Sequence, residues 1–204
     1  FRNEMRILLL DNYDSFTYNL KAQLERCSYG SEVMVKRNRD ASAFVQELDC
    51  LVVSPGPMTW RETGVLKEFF EKRILPEKIP YLGICLGMQF LAGYYGLKVD
   101  RISNPVHGSA VEIEHERGRL FKNIPDTFTA ARYNSLGLVN TGPGLKEMNG
   151  LTFTSFEKET GNVMSLEHKE LPFAGFQFHT ESFLTNAGDE LISNFMELYC
   201  EDRS

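Results

Sequence analysis

The first hundred residues alternate short apolar runs with stretches in which apolar residues recur at helical spacing. The runs that predict strands lie at 5–10, 32–36, 50–54 and 80–84. The stretches that predict helices lie at about 15–30, 65–74 and 88–95. In the first of these helices, Asp14 or Ser15 is the predicted N-cap, and Phe16, Leu20 and Leu24 form the apolar stripe. Apolar strands that alternate with helices predict a parallel sheet covered on both faces, a three-layer doubly wound α/β fold.

Beyond about residue 97 the pattern changes to short segments separated by turn residues. These predicted strands lie at 98–102, 110–115, 127–132, 151–157, 162–167 and 174–179. At 111–114 (VEIE) apolar and polar residues alternate, which is typical of an antiparallel strand with one solvated face. A last helix is predicted over 187–199. We therefore expect one domain over residues 1–204, with an additional antiparallel β region in its second half.

Composition and charge exclude several classes of function. The chain carries 22 Lys and Arg against 28 Asp and Glu, a formal net charge of −6, without a basic block, so nucleic acid is not an expected partner. No apolar run approaches the roughly 20 residues of a membrane helix, and no secretion signal is visible, so we expect a cytoplasmic protein without membrane contact. The cysteines at 27, 50, 85 and 200 have neither metal-ligand nor disulfide-scaffold spacing.

The segment 83–87 (GICLG) has the layout of a nucleophile elbow, with cysteine in the place of serine. It follows a predicted strand and precedes a predicted helix. Two glycines permit a sharp turn that lifts the Cys85 thiol above the sheet, and the helix N-terminus favours its thiolate. The alternative is a buried cysteine in a Gly-flanked turn without chemistry. A nearby base would decide between the two.

His179 is the candidate base, because it ends an apolar strand and has Glu181 two residues further on. That carboxylate can hold the imidazole in one tautomer. A lone histidine at a strand end is otherwise an ordinary surface or core residue. His179 and Cys85 both end strands that can be neighbours in one sheet, where open α/β folds place their sites.

The loop at 55–57 (PGP) can offer a backbone N–H at Gly56 which, with that of Leu86, would stabilise an oxyanion. Alone, such a tripeptide is an ordinary turn. The three other histidines lack ligand spacing, and we expect structural or solvated roles and no metal site; they are His107, His115 and His168. Glycine motifs for nucleotide binding are also missing from the sequence.

Six segments resemble the successive motifs of class I, triad-type glutamine amidotransferases, and they occur in that family's order. They are DNYDSFTYNL at 11–20, SPGP at 54–57, LGICLGMQ at 82–89, HG at 107–108, RYNSL at 132–136 and FQFHTES at 176–182. The first resembles the branch that serves chorismate-using enzymes, the glutaminase components of anthranilate synthase and aminodeoxychorismate synthase. The resemblance covers nearly the whole chain.

This resemblance implies an activity on L-glutamine that requires neither cofactor nor metal. Cys85 would attack the side-chain amide, His179 would carry the proton to the departing ammonia, and Glu181 would orient His179. A γ-glutamyl thioester would form and be hydrolysed. The implied partner is a chorismate-binding synthase subunit or domain in a hetero-oligomer, which would receive the ammonia.

The resemblance also implies the residues that hold glutamine. Gly56 and Leu86 would supply the oxyanion-hole amides. The side of the pocket that contacts glutamine would comprise Met58, Gln89, Ser135 and Leu136.

Three positions differ from the family pattern, all at the pocket rim or the partner-facing surface. The family commonly has PGPG, HGK and RYHS, where this chain has Met58, Ser109 and Asn134 at the differing positions. If position 58 required a left-handed backbone, methionine would cost about 1–2 kcal/mol there relative to glycine. These differences leave the pathway open, including a synthase of secondary metabolism.

Two other functions are compatible with parts of this pattern. A free-standing γ-glutamyl hydrolase would use the same cysteine and histidine, and a flavodoxin-like scaffold would keep the fold without turnover. The retained triad argues against the scaffold, and the short chain without a secretion signal argues against the hydrolase. The start of the chain at Phe1 fits either added residues before a natural start at Met5 or a segment of a longer polypeptide.

Overall fold

The computed structural model describes residues 5–28, 30–40, 47–141 and 144–201, so Phe1 to Glu4 lie outside the described residues. The strands along the chain are β1 (Arg6–Asp11), β2 (Glu32–Arg37), β3 (Cys50–Val53), β4 (Tyr81–Ile84), β5 (Val99–Arg101), β6 (Ser109–His115), β7 (Thr127–Arg132), β8 (Leu136–Leu138), β9 (Glu147–Met148), β10 (Leu151–Glu157), β11 (Val163–His168) and β12 (Phe173–Phe176). The helices are α1 (Thr17–Cys27), α2 (Leu66–Phe69), α3 (Leu75–Glu77), α4 (Leu86–Tyr94) and α5 (Gly188–Phe195). A π-helical turn at Phe70–Ile74 joins α2 to α3, and another at Met196–Cys200 extends α5.

One ten-stranded sheet runs through the described residues, in the order β2-β1-β3-β4-β12-β11-β10-β6-β7, with β9 beside β10. The pairs from β2 to β12 are parallel, and those from β12 to β7 are antiparallel. Strands β5 and β8 form a separate two-stranded sheet. The predicted α/β fold with an antiparallel region in the second half is confirmed. The short strands β8 and β9 were not among the predicted elements.

Both faces of the parallel strands are covered by helices, as predicted. Successive residues of a strand point to opposite faces, so Ile7 and Leu9 of β1 belong to one buried cluster and Leu8 and Leu10 to the other. The first cluster includes apolar residues of α1 and α5, and the second includes those of α2 and α4. Two separate apolar cores therefore hold the sheet between two helical layers.

The start of α1 differs from the prediction. Phe16 occupies the N-cap position without a side-chain cap, and the helix begins at Thr17. The Asp14 carboxylate instead accepts a hydrogen bond from the Phe16 backbone N–H at 2.8 Å, which makes a turn before the helix. Phe16 is 40% exposed and is not part of the buried stripe. The prediction of Asp14 or Ser15 as N-cap was therefore wrong by one or two residues.

Strands β4 and β12, which precede Cys85 and His179, are neighbours, an arrangement that the sequence left possible. They pair in parallel, with Ile84 opposite Phe176. The Cys85 N–H continues this pairing by donating to the Phe176 carbonyl at 2.7 Å. The carboxyl ends of the two strands therefore meet at one edge of the sheet. Of the helices in the described ranges, none is long and apolar enough to cross a membrane.

Candidate active site

Cys85 stands in the turn between β4 and α4 with a strained backbone. Its φ is 50° and its ψ is −99°, a conformation that L-residues with a Cβ avoid at a cost of about 1–3 kcal/mol. Hydrogen bonds on both sides hold it: its N–H donates to Phe176, and its carbonyl accepts from the Gln89 N–H at 3.0 Å. The residue is 7% exposed. The turn thus presents the thiol at the first turn of α4.

The glycines on either side of Cys85 serve close packing rather than an unusual backbone angle. Neither Gly83 nor Gly87 is among the described residues with positive φ. A Cβ on Gly83 would lie 2.3 Å from the Gly87 carbonyl carbon, and one on Gly87 would lie 2.5 Å from the Val53 carbonyl oxygen. The two glycines therefore let α4 approach β4 and β3, and only Cys85 carries the strain of the turn.

His179 lies against Cys85 and Glu181, and all three side chains are buried. Nδ1 of His179 is 2.6 Å from the Glu181 carboxylate, which leaves Nε2 for the thiol. Burial opposes the charged imidazolium, but hydrogen bonds to Cys85 and Glu181 and the charges of both raise the pKa of His179 to about 10. The second Glu181 oxygen has no hydrogen-bond partner in the described part of the chain. This geometry favours a protonated histidine beside the thiol.

Hydrogen bonds to the His179 backbone connect it to β7 and to Thr185. The His179 N–H donates to the Ala131 carbonyl of β7 at 3.0 Å, and the Thr185 hydroxyl donates to the His179 carbonyl at 2.6 Å. The Tyr133 ring lies 4.7 Å from the imidazole, between centroids, and the Phe16 ring lies 5.8 Å from that of Tyr133. Sequence reasoning did not identify Tyr133 as a neighbour of His179.

Asp14 is a further carboxylate close to this site. Burial raises its pKa, while the hydrogen bond from the Phe16 N–H and the charge of His179 act in the opposite direction. The charge of Glu181 also raises the pKa. From the sequence, Asp14 was predicted only as a helix cap, because its distance from Glu181 along the chain hides their proximity.

The structure brings Gly56 next to the start of α4. A Cβ on Gly56 would lie 2.6 Å from the Asn12 carbonyl oxygen and 3.0 Å from the Leu86 side chain. The buried Asn12 holds the preceding segment, since its N–H and its side-chain amide donate to Ser54 at 2.8 and 2.9 Å. The loop therefore lies against the turn that carries the nucleophile candidate.

Gln89 and Leu136 also meet at this site. The Gln89 side-chain amide donates to the Leu136 carbonyl at 2.9 Å and to Gln177 Oε1 at 3.1 Å. Gln177 in turn donates to the Cys85 sulfur at 3.4 Å. Ser135 is exposed beside Leu136. Sequence reasoning missed Gln177, although a polar residue between the two apolar positions 176 and 178 is a visible signal.

The three positions that differ from the family pattern have separate environments. Met58 is half-buried and is not among the described residues with positive φ, so methionine causes no backbone strain there. Ser109 is exposed and pairs with Arg132 across β6 and β7. Asn134 is buried, and its amide donates to the Leu136 carbonyl at 2.8 Å. Of the three, only Asn134 is bonded into the set of residues around Gln89.

The remaining histidines have the structural roles that the sequence predicted or lie in solvent. His115 contacts the Pro125 carbonyl at 2.9 Å and stacks on Phe121, and His168 accepts two backbone N–H bonds at 3.1 Å. His107 is exposed. Within the described ranges, no group of three or more His, Cys, Asp or Glu residues is arranged to hold a metal ion.

Comparisons with known proteins agree on one family. A family model for glutamine amidotransferase class-I matches residues 8–198. The aminodeoxychorismate/anthranilate synthase component 2 of Bacillus subtilis is 39% identical over 197 residues, 95% of this chain and 96% of that protein. Aminodeoxychorismate synthase component 2 of Escherichia coli is 37% identical over 195 residues, covering 93% of this chain and 98% of that protein. The crystal structure of a glutamine amidotransferase from Thermotoga maritima, 21% identical, aligns with a TM-score of 0.70 over 97% of this chain and 83% of that one, which supports the fold.

Proposed function

This chain belongs to the class-I glutamine amidotransferases, and from that membership we propose that it releases ammonia from L-glutamine through a thioester on Cys85. The ammonia would pass to a synthase that aminates chorismate. The observation that carries the proposal is the buried contact of Cys85 with His179, whose other ring nitrogen lies 2.6 Å from Glu181. We further propose that residues 1–204 form one domain of this type and act in the cytoplasm.

The proposed reaction needs a nucleophile, an acid and a stabilised oxyanion. The Cys85 sulfur attacks the amide carbon of glutamine, and protonated His179 gives its proton to the leaving nitrogen, so ammonia departs and a thioester remains. Water then attacks the thioester while His179, now neutral, accepts its proton, and the sulfur leaves as the thiolate beside the imidazolium. Glutamate and free enzyme result, and atoms and charges balance.

The neighbouring residues supply the other requirements of this reaction. Gly56 and Leu86, which lie side by side, would donate backbone N–H bonds to the oxyanion. Glutamine would be held by Met58, Gln89, Ser135 and Leu136. The high pKa of His179 supports its role as acid, because the imidazolium would be the resting form near neutral pH.

Exposed aromatic side chains near the triad support a protein partner. Phe183, two residues after Glu181, is 92% exposed, and Tyr18 is 73% exposed. Phe16, also exposed, reaches Tyr133 beside His179. Large exposed apolar side chains are typical of interaction surfaces. A synthase docked here would cover the mouth of the site and receive ammonia sheltered from water.

The decisive experiment uses the Cys85→Ala variant reconstituted with a chorismate-using synthase. Product formation is measured with glutamine and then with an ammonium salt at mildly alkaline pH, once with an anthranilate synthase partner and once with an aminodeoxychorismate synthase partner. We expect the variant to fail with glutamine and to succeed with ammonium, whereas Cys200→Ala should behave as the wild-type chain does.

Three results would count against this proposal. Glutamine-dependent synthesis by Cys85→Ala would exclude the thioester, and loss of ammonium-dependent synthesis would indicate a structural role for Cys85. Cleavage of γ-glutamyl peptides by the isolated chain, without any response to either synthase, would favour the γ-glutamyl hydrolase instead.

A further inference from the structure

A line of buried polar side chains connects the Cys85 thiol with an ion pair in the antiparallel half of the sheet. Arg132, at the end of β7, makes two bonds of 2.8 Å to the Glu157 carboxylate at the end of β10. Three side-chain amides lie between this pair and the thiol, and we refer to them as the amide relay: Asn134, Gln89 and Gln177. Asn134 and Gln89 are connected through the Leu136 carbonyl, to which both donate. All five side chains are at least nine-tenths buried.

Arg132 determines the orientation of the first amide. A guanidinium has donors only, so the atom of Asn134 that lies 3.0 Å from Arg132 Nε is the amide oxygen. The Asn134 nitrogen is therefore directed to the Leu136 carbonyl, 2.8 Å away. Glu157 and the Asn104 carbonyl occupy the other guanidinium nitrogens, which leaves Arg132 no freedom to turn.

The same reasoning orients the next two amides. The Leu136 carbonyl accepts only, so Gln89 presents its nitrogen to it and has a second N–H for Gln177. The Gln177 atom at 3.1 Å from Gln89 is then its oxygen. The Gln177 nitrogen consequently faces the Cys85 sulfur at 3.4 Å. A reversed Gln177 would set two N–H donors against each other in a buried place, which is unfavourable.

We propose that Gln177 is a catalytic residue that donates a hydrogen bond to the Cys85 sulfur, and that Arg132 and Asn134 are positioning residues that keep this donor directed at the sulfur. The proposal rests on Cys85 being the nucleophile of the proposed function.

Gln177 would give the Cys85 sulfur a second hydrogen-bond donor in addition to His179. A hydrogen bond to the charged form of a group favours that form, so Gln177 would stabilise the thiolate that attacks glutamine. The charged groups around Cys85 and His179 are His179 itself, Glu181 and Asp14. Gln177 is neutral, and it therefore stabilises the thiolate without adding a charge to the balance between these groups.

The test measures alkylation of Cys85 by iodoacetamide, a small neutral reagent, from pH 6 to 10, with peptide mapping to confirm the modified residue. In Gln177→Leu we expect the rate at pH 7 to fall about tenfold, and the rate–pH profile to be displaced to higher pH. With glutamine as substrate, kcat should fall by a similar factor while KM stays within about twofold.

A second variant acts at the far end of the relay and keeps the side-chain size. In Asn134→Asp the carboxylate can accept from Arg132 but cannot donate to the Leu136 carbonyl, so the carbonyl that orients Gln89 loses one of its two donors and meets a carboxylate oxygen instead. We expect the alkylation rate to fall about threefold, with the profile displaced in the same direction as in Gln177→Leu. If Gln177→Leu does not fold, this variant carries the test.

A matched control separates a local effect from a general loss of stability. Asn194 is also a buried amide, and it donates to the Leu120 and Lys122 carbonyls at 2.8 and 2.9 Å, outside the relay. Asn194→Leu should leave the alkylation profile of Cys85 unchanged. The proposal is overturned if folded Gln177→Leu and Asn134→Asp keep the wild-type profile, or if Asn194→Leu displaces it equally. Alkylation requires no glutamine, so it tests the hydrogen bond to Cys85 separately from the release of ammonia. If the variants change the alkylation profile but the wild-type chain releases no ammonia, the proposed function is refuted and the proposed hydrogen bond is not.

Discussion

The two halves of the sheet contribute to the site in different ways. The parallel half presents Cys85 and Gly56 through the backbone: a strained turn after β4, a loop after β3, and glycines that allow close packing. The antiparallel half contributes buried side chains, above all the ion pair of Arg132 and Glu157 and the Asn134 amide that Arg132 orients. One half therefore shapes the turn that bears the thiol, and the other half orients the groups around it.

This difference indicates where each half is sensitive to substitution. In the parallel half, an added Cβ meets backbone atoms that cannot move aside. In the antiparallel half, a lost side chain leaves a buried charge or amide without its partner. Stability and activity should thus be lost by crowding in one half and by unpaired polar groups in the other.

The largest effect on stability is expected from breaking the buried ion pair. In Arg132→Met the Glu157 carboxylate stays buried without its cation, so the free energy of unfolding should fall by about 3–5 kcal/mol. Urea unfolding of the variant and the wild-type chain measures this loss of stability. Arg26→Met is the matched control, because Arg26 also makes paired bonds to one carboxylate, that of Asp189, but on the surface. That control should lose about 1 kcal/mol or less.

A second variant tells whether the charge left behind causes the loss. Replacing both partners, as Arg132→Met with Glu157→Leu, should recover part of the stability that Arg132→Met alone removes. A double variant that is less stable than Arg132→Met would show that packing, rather than the unpaired carboxylate, dominates at this place.

The next largest effect is expected in the parallel half, from Gly87→Ala. The new Cβ would lie 2.5 Å from the Val53 carbonyl oxygen, so α4 must move away from β3, at a cost of about 1–3 kcal/mol. Labelling of Cys85 by a glutamine-like electrophile should slow at the same time, since α4 carries the turn. Gly118→Ala is the control: its φ is −67° and the nearest atom to a Cβ is a carboxylate oxygen at 3.7 Å. Equal losses in the two variants would contradict the close-packing argument.

Glu181→Gln should lower the pKa of His179 toward its ordinary value of 6.5. The pKa of about 10 arises because hydrogen bonds and charges from Cys85 and Glu181 outweigh the effect of burial, and the variant removes the Glu181 charge. An NMR titration of the His179 ring should show the midpoint falling by one pH unit or more. A midpoint that stays near 10 would show that Cys85 alone raises the pKa of His179.

The same pKa gives a stability prediction with a definite sign. A raised pKa means that the folded chain binds the His179 proton more tightly than the unfolded chain does. The resulting stabilisation is complete below pH 6.5 and is lost as the pH rises through about 10. Between these values the unfolding free energy of the wild-type chain should fall more steeply than that of Glu181→Gln.

The sequence allowed the parallel half to be predicted well, because its signals are local. An apolar run, a glycine pair and a helical period identify β4, the turn at Cys85 and α4 within a dozen residues. The pairing of β4 with β12 was compatible with the sequence, but it became visible only in the structure. The glycines permit the sharp turn, as predicted, but the contact of Gly87 with Val53 depends on the packed sheet and was not predicted.

The side-chain contacts of the antiparallel half could not be predicted in the same way. Gln177 and Gln89 are 88 positions apart in the chain, and Arg132 and Glu157 are 25 apart. No local period relates such residues, and each alone is an ordinary polar side chain of a strand, a helix or the segment after a strand. The ion pair also joins strands that do not pair with each other, since β6 lies between β7 and β10. Asp14 was misjudged for the same reason, as its neighbours at the triad are distant in the chain.

The smallest effect is expected from Met58→Gly, which restores the family pattern in the loop after Gly56. Glycine would be needed at this position only if the backbone were left-handed, and Met58 is not among the described residues with positive φ. The substitution therefore relieves no strain; it adds freedom to the unfolded chain and removes a half-buried side chain, so stability should fall by about 0.5–1 kcal/mol. Since neither Cys85 nor His179 changes, labelling of Cys85 should persist, and the effect on catalysis should be confined to KM for glutamine or to activation by the synthase. Asn134→His, the corresponding restoration in the antiparallel half, should act on the thiol through the relay and so change the alkylation profile. A gain in stability in Met58→Gly would mean that the loop is strained after all, and a rise in kcat by several orders of magnitude without a partner would identify this chain as a disabled amidotransferase.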